Sequence, residues 1–190
     1  MQKKYDKIIE IHEWKPEFEN IDKSILESSL ITFDDGLVSQ YHALPFLKTL
    51  NTPKIFFIST DIIRPEHQEA SYEVIHCADA HEKAFQGDKE NYMSWKEIQE
   101  IYNTDNCIIG GHSHYHHRYG YTPLKNLYTN LIDDTEKMVK EFSNQNIKIK
   151  DFCFPYNIDY NALYRGILIK EGIEDFYGSE RIPIEDLTRS

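Results

Sequence analysis

The chain has 190 residues, with 32 acidic against 21 basic side chains and a formal net charge of −11 at pH 7. That length supports one substantial core and a single domain over 1–190, and the acidic balance argues against nucleic acid or an anionic membrane surface as partner. No apolar run is long enough for a transmembrane segment, Met1 to Asn20 lacks the apolar stretch of a secretory signal, and Cys77, Cys107 and Cys153 read as reduced thiols, so the expected location is the cytoplasm.

Ser29-Leu30-Ile31-Thr32-Phe33 is an apolar, β-rich run that stops at Asp34-Asp35-Gly36, as a buried strand does on reaching a loop. After Ser39, Leu44, Leu47 and Leu50 recur at helical spacing, with Pro45 a kink or late start. Lys54 to Ser59 is a second strand. Asp61 to Asn91 is polar, His-rich and weakly periodic, and reads as an insertion with a helix around Glu66 to Phe85.

Ser94 with Glu97 three residues on is a capping box opening a short helix, and Cys107-Ile108-Ile109 is a strand that runs into Gly110-Gly111-His112. Thr122-Pro123 opens the clearest helix, with Leu124, Leu127, Leu131, Met138 and Phe142 on one face until about Asn144. A strand over Ile149 to Phe154, a helix over Asn161 to Lys170 and a last strand at Asp175-Phe176-Tyr177 follow. Strands alternating with helices predict an α/β fold with a mainly parallel sheet, whose ligands gather at the carboxyl ends of the strands. Asp34, His112 and Tyr156 all fall just past such ends.

His112-Ser113-His114-Tyr115-His116 offers two imidazoles four residues apart, which one helical turn would aim at a single cation. Two adjacent carboxylates at the end of an apolar strand are costly unless a metal or hydrogen bonds offset their repulsion, so one of them can bind an ion while the other acts as base. Each reading has a bland counterpart. A His-rich loop can simply be solvated, and Asp35 before Gly36 can satisfy its own backbone in a turn.

Thr32-Phe33-Asp34-Asp35-Gly36, His112-Ser113-x-x-His116 and Phe154-Pro155-Tyr156 together resemble the polysaccharide deacetylases of the NodB-homology, carbohydrate esterase 4-like family. The resemblance runs from about Leu30 to Tyr156 and more weakly to Gly178. It implies a deformed or incomplete (β/α) barrel and a metal-dependent hydrolase that removes an acetyl group from an N-acylated sugar in a glycan or glycan precursor. By the same resemblance Asp35, His112 and His116 hold one divalent metal ion, Zn first and Mn, Co or Ni as alternatives. Asp34 is the general base, and the backbone N–H of Tyr156 binds the oxyanion.

Two departures from the family pattern stand out. An Arg that orients the base is common two positions before Pro155, where this chain has Cys153, read as a small buried residue. The family also commonly supplies a late Leu-x-His general acid, yet no histidine follows His117; His114, His117, His67, His76, His81 or Asp34 itself are the substitutes on offer. Arg181 reads as a solvated tail residue, with substrate-anion binding as the alternative, and Trp95 as a core anchor. The missing Arg and histidine leave a metal-binding but catalytically weak glycan-binding relative as the rival reading.

Overall fold

The computed structural model describes residues 5–116, 123–159 and 162–188. Its framework is a seven-stranded sheet made of β1 (Lys7–Ile11), β2 (Ser29–Phe33), β3 (Lys54–Ile58), β4 (Cys107–Gly111), β5 (Asp151–Cys153), β6 (Asp175–Tyr177) and β7 (Ile182–Pro183). Every pairing is parallel, in the order β6-β5-β4-β3-β2-β1-β7. β2 and β3 are buried at every position, which is why their sequences are nearly unbroken apolar runs.

The two edge strands, β6 and β7, lie at opposite ends of that order, yet only the four residues Gly178 to Arg181 join them. Such a link reaches about 18 Å at most at roughly 3.6 Å per residue. The sheet therefore curls into a half-barrel with helices around it, the deformed (β/α) barrel expected from the sequence.

Side chains alternate between the two faces of the curled sheet. Ile31, Phe33, Phe56 and Ile58 point outward into the main core, under α2 (Val38–His42), α3 (Leu44–Leu47), α5 (Trp95–Tyr102) and α6 (Leu124–Asn144). Leu30, Ile55, Phe57 and Cys153 form a second, inner cluster. Gly110 on β4 leaves room for it, because a Cβ there would sit 2.7 Å from the Phe57 ring.

α5 starts at the anticipated capping box, in which Ser94 accepts from Glu97 N and the Glu97 carboxylate accepts from Ser94 N. Trp95 packs edge-on against Phe142 of α6, the core role expected of it. α6 begins after Pro123; Thr122 lies outside the described residues. α7 (Ala162–Lys170) matches the anticipated helix apart from Asn161, also outside them.

Three expectations are corrected and one strand is added. The single helix after Ser39 is two short ones, broken at Ala43, with Pro45 in the first turn of α3, where its missing N–H costs nothing. The helix expected from Glu66 is only α4 (Cys77–Phe85), capped by the His76 side chain on Ala78 N; no apolar stripe exists upstream to hold an earlier start. The N-terminal region supplies a full strand, β1, between β2 and β7. Arg181 is no solvated tail residue, being 6% exposed. Among the described residues no helix is long and apolar enough to cross a membrane.

Candidate metal centre and active site

Three strand ends build the mouth of the half-barrel. β2 delivers Asp34 and Asp35, β4 delivers His112, and β5 leads into Phe154-Pro155-Tyr156. The backbone here is unusual for L residues, with φ of 72° at Asp35, 68° at Ser113, 55° at His116 and 60° at Tyr156. Each such residue costs about 1 kcal/mol or more and persists only where its surroundings enforce it. At Asp35 the turn continues through Gly36, φ 82°.

Residues 112–116 form a loop, so the helical turn expected to align His112 and His116 is absent. The loop is fixed from α6 instead. The buried Asp134 carboxylate accepts from the backbone N–H groups of His114 (2.8 Å) and Tyr115 (2.9 Å), and Ser113 Oγ accepts from His116 N at 2.9 Å. Both imidazoles still converge, with His112 Nε2 3.2 Å and His116 Nε2 3.1 Å from Asp35 Oδ1.

The protonation pattern follows from a second contact. His112 Nδ1 lies 2.8 Å from the carbonyl oxygen of Cys153, which can only accept, so Nδ1 is the donor and a neutral ring turns its Nε2 lone pair on Asp35. Burial pushes the His116 pKa down to about 4 against the opposing pull of Asp35. Burial works to raise the Asp35 carboxyl, and only positive charge at the His116 and His112 positions would outweigh it and hold it well below the ordinary carboxylate range. Asp35 Oδ1, fully buried, has no hydrogen-bond partner among the described residues. An acceptor oxygen faced by imidazole lone pairs is repulsive unless a cation sits between them; Asp35 and His116, with His81, place donor atoms within 4.8 Å of one another, and His112 approaches the same Asp35 oxygen from outside that group.

Asp34 has different company. Arg181 grips it with Nη1 2.6 Å from Oδ1 and Nη2 2.7 Å from Oδ2, and also donates to Thr32 Oγ1 (3.0 Å), Asn157 Oδ1 (2.7 Å) and Gly178 O (3.1 Å). Glu10 Oε2 lies 3.0 Å from Arg181 Nη2. Against the raising effect of burial, the guanidinium holds the Asp34 carboxyl below its usual value. Cys153 is fully buried, as expected, and its thiol is pushed well up by burial and by Asp34, so it stays protonated and is no nucleophile.

Two further imidazoles reach the site: His12, which the sequence did not single out, and His81, one of the candidate acids of the 61–91 insertion. His12, just past β1, has Nε2 3.8 Å from Asp34 Oδ2 with its side chain 34% exposed. His81 of α4 has Nε2 3.1 Å from Asp35 Oδ2 and stacks on the His116 ring at 4.3 Å. The signal for His12 was present: Lys7-Ile8-Ile9-Glu10-Ile11 is an apolar run ending in a polar side chain, as β2 ends in Asp34. Of the other candidate acids, His114 turns to Thr60 Oγ1 (2.8 Å), His76 caps α4, His67 is exposed, and His117 lies outside the described residues. The Tyr156 ring is half-exposed, 4.9 Å from that of His116.

The family profile described as polysaccharide deacetylase matches residues 25–174. The chain belongs to the polysaccharide deacetylase family. No curated protein matches it. Among solved structures it is similar to IcaB from Ammonifex degensii, at 18% identity and TM-score 0.68, over 96% of this chain and 94% of that one. It is also similar to a de-N-acetylase from Aggregatibacter actinomycetemcomitans (14%, TM-score 0.65, 93% and 92% covered) and to the deacetylase domain of BpsB from Bordetella bronchiseptica (14%, TM-score 0.63, 93% and 93%). At these identities the likeness speaks for the fold.

Both departures from the polysaccharide deacetylase pattern have a counterpart in space. The guanidinium missing at Cys153 reaches Asp34 from Arg181, and an imidazole missing late in the sequence stands beside Asp34 as His12. A linear motif search misses both because His12 lies just past β1 and Arg181 on the link before β7, toward opposite ends of the sequence.

Proposed function

We propose that this polysaccharide deacetylase is a metal-dependent N-deacetylase that hydrolyses the acetamide of an N-acylated sugar in a glycan or glycan precursor. The observation that carries the reading is Asp35 Oδ1, buried without a hydrogen bond and faced by the His112 and His116 Nε2 atoms at 3.2 and 3.1 Å. Asp35, His112 and His116 would hold one divalent ion, with Zn favoured by two imidazoles and one carboxylate. Such an ion polarises a carbonyl and brings the pKa of water to about 7.

The protein's own groups then divide the proton transfers. Asp34, kept ionised by Arg181, takes a proton from the attacking water. The backbone N–H of Tyr156 donates to the oxyanion that develops on the amide oxygen. His12, on the open side of Asp34, gives a proton to the departing sugar amine as the C–N bond breaks. The products are acetate and the free amine.

The activity words attached to two fold neighbours, de-N-acetylase and deacetylase, agree with this reaction. Three unpaired cysteines favour a reducing compartment such as the cytoplasm, and hence a precursor or short glycan as substrate. The positions of Arg181 and His12 beside Asp34 speak for catalysis against the rival reading of a weakly active glycan binder. Acetate release from a panel of N-acetylated sugars tests the proposal. Asp34→Asn is expected to keep the ion and lose activity by about 10²-fold or more, whereas full activity in that variant refutes the base assignment.

A further inference from the structure

The segment 61–91 between β3 and α5 carries α4, and α4 is aimed at the site. Ala80 and Ala84 pack with Leu37, Ile62 and Tyr92 in a small separate core, which fixes the helix against the loop that follows Asp35. Its first residue, Cys77, donates its backbone N–H to Glu13 Oε2 at 3.2 Å, tying it to the chain just past β1. One turn on, His81 is directed inward.

The surroundings of His81 are those of a ligand. Its Nε2 lies 3.1 Å from Asp35 Oδ2, the carboxylate oxygen that His112 and His116 leave to it. Both of its ring nitrogens are buried, and neither has a hydrogen-bond partner among the described residues. A structural histidine would satisfy at least one of them. The donor atoms of Asp35, His81 and His116 lie within 4.8 Å of one another, close enough to share one ion. The side chain is only 12% exposed and faces Asp35 rather than Asp34, which sets it apart from the acid role that His12 fills.

We propose that His81 is a fourth protein ligand to the ion, supplied by the 61–91 segment in addition to Asp35, His112 and His116. This rests on the metal reading above. A set of three imidazoles and one carboxylate shifts preference from Mn toward Zn and Co, and it makes the order of α4 depend on the ion.

Metal-stripped protein titrated with Co²⁺ against a chromophoric chelator tests this without reference to activity. Wild type is expected to bind one equivalent with the visible absorption bands of a five-coordinate ion, the fifth position being left to water or substrate. His81→Ala and the similarly sized His81→Gln should weaken Co²⁺ by at least the roughly 10-fold that even outer partners of a ligand supply, and lose most of the visible intensity. Amide exchange across 77–85 should slow on adding Co²⁺ in wild type and not in His81→Gln. Wild-type affinity and spectrum in both variants, with binding abolished in His112→Ala, would overturn the His81 assignment alone. No uptake by wild type would overturn the metal reading itself.

Discussion

Arg181 and Asp34 meet as a two-pronged ion pair inside the barrel mouth, at 2.6 and 2.7 Å, joining the link before β7 to the end of β2. Both partners are almost fully buried. The pair thus closes the curl of the sheet and at the same time sets the charge and direction of the Asp34 carboxylate.

Removing Arg181 leaves Asp34 as a buried carboxylate without its ion-pair partner, while Glu10 keeps its hydrogen bond from Asn157 Nδ2, so Arg181→Met is expected to lose about 3–5 kcal/mol of stability at neutral pH in urea unfolding. The pH dependence has a definite sign. The folded pKa of Asp34 lies below its ordinary 3.8, so its contribution is present above that value and is lost as pH falls through the lower folded one. Without the guanidinium only burial acts strongly, which raises the pKa. In the variant the Asp34 contribution should therefore reverse sign: stability is regained as pH falls through the raised folded pKa, where wild type loses it. An unchanged acid limb would show that Arg181 does not control Asp34.

His12→Gln removes the proposed proton donor and leaves Asp35, His112 and His116 in place. We expect kcat to fall by about 10²–10⁴-fold while one equivalent of metal remains bound. Metal analysis beside steady-state acetate release checks both halves; a variant of wild-type kcat would move the acid role elsewhere.

Gly110→Ala forces a Cβ to within 2.7 Å of Phe57 Cδ1 and Cε1 and 2.9 Å of the Asp151 carbonyl oxygen. Overpacking of this kind costs about 1–3 kcal/mol. Adding Phe57→Leu should make the two effects non-additive, because the smaller side chain vacates the contested space. Strict additivity in thermal unfolding would contradict the packing described for the inner cluster.

The alternation of strands and helices was legible because parallel strands buried on both faces read as plain apolar runs, as in Leu30 to Phe33 and Ile55 to Ile58. Asp34, Asp35, His112 and Tyr156 were legible for a related reason, since each interrupts such a run where the strand ends. β1 was missed because Lys7 and Glu10 dilute an otherwise apolar stretch, and the partners of the half-buried Glu10, Arg181 and Asn157, come from the far end of the sequence. Arg181 and His81 were unreadable as partners of Asp34 and Asp35. Their positions follow from the curl of the sheet and from a small apolar core under α4, neither of which has a local sequence period.

The claim that a metal ion on Asp35, His112 and His116 drives deacetylation is tested most directly on one preparation. Metal content and acetate release from an N-acetylated sugar substrate are measured as purified, after chelation and dialysis, and after addition of one equivalent of Zn²⁺. Activity that disappears with the metal and returns with it, in wild type and not in His112→Ala, is the predicted result. Acetate release that persists after the metal has been removed would contradict it.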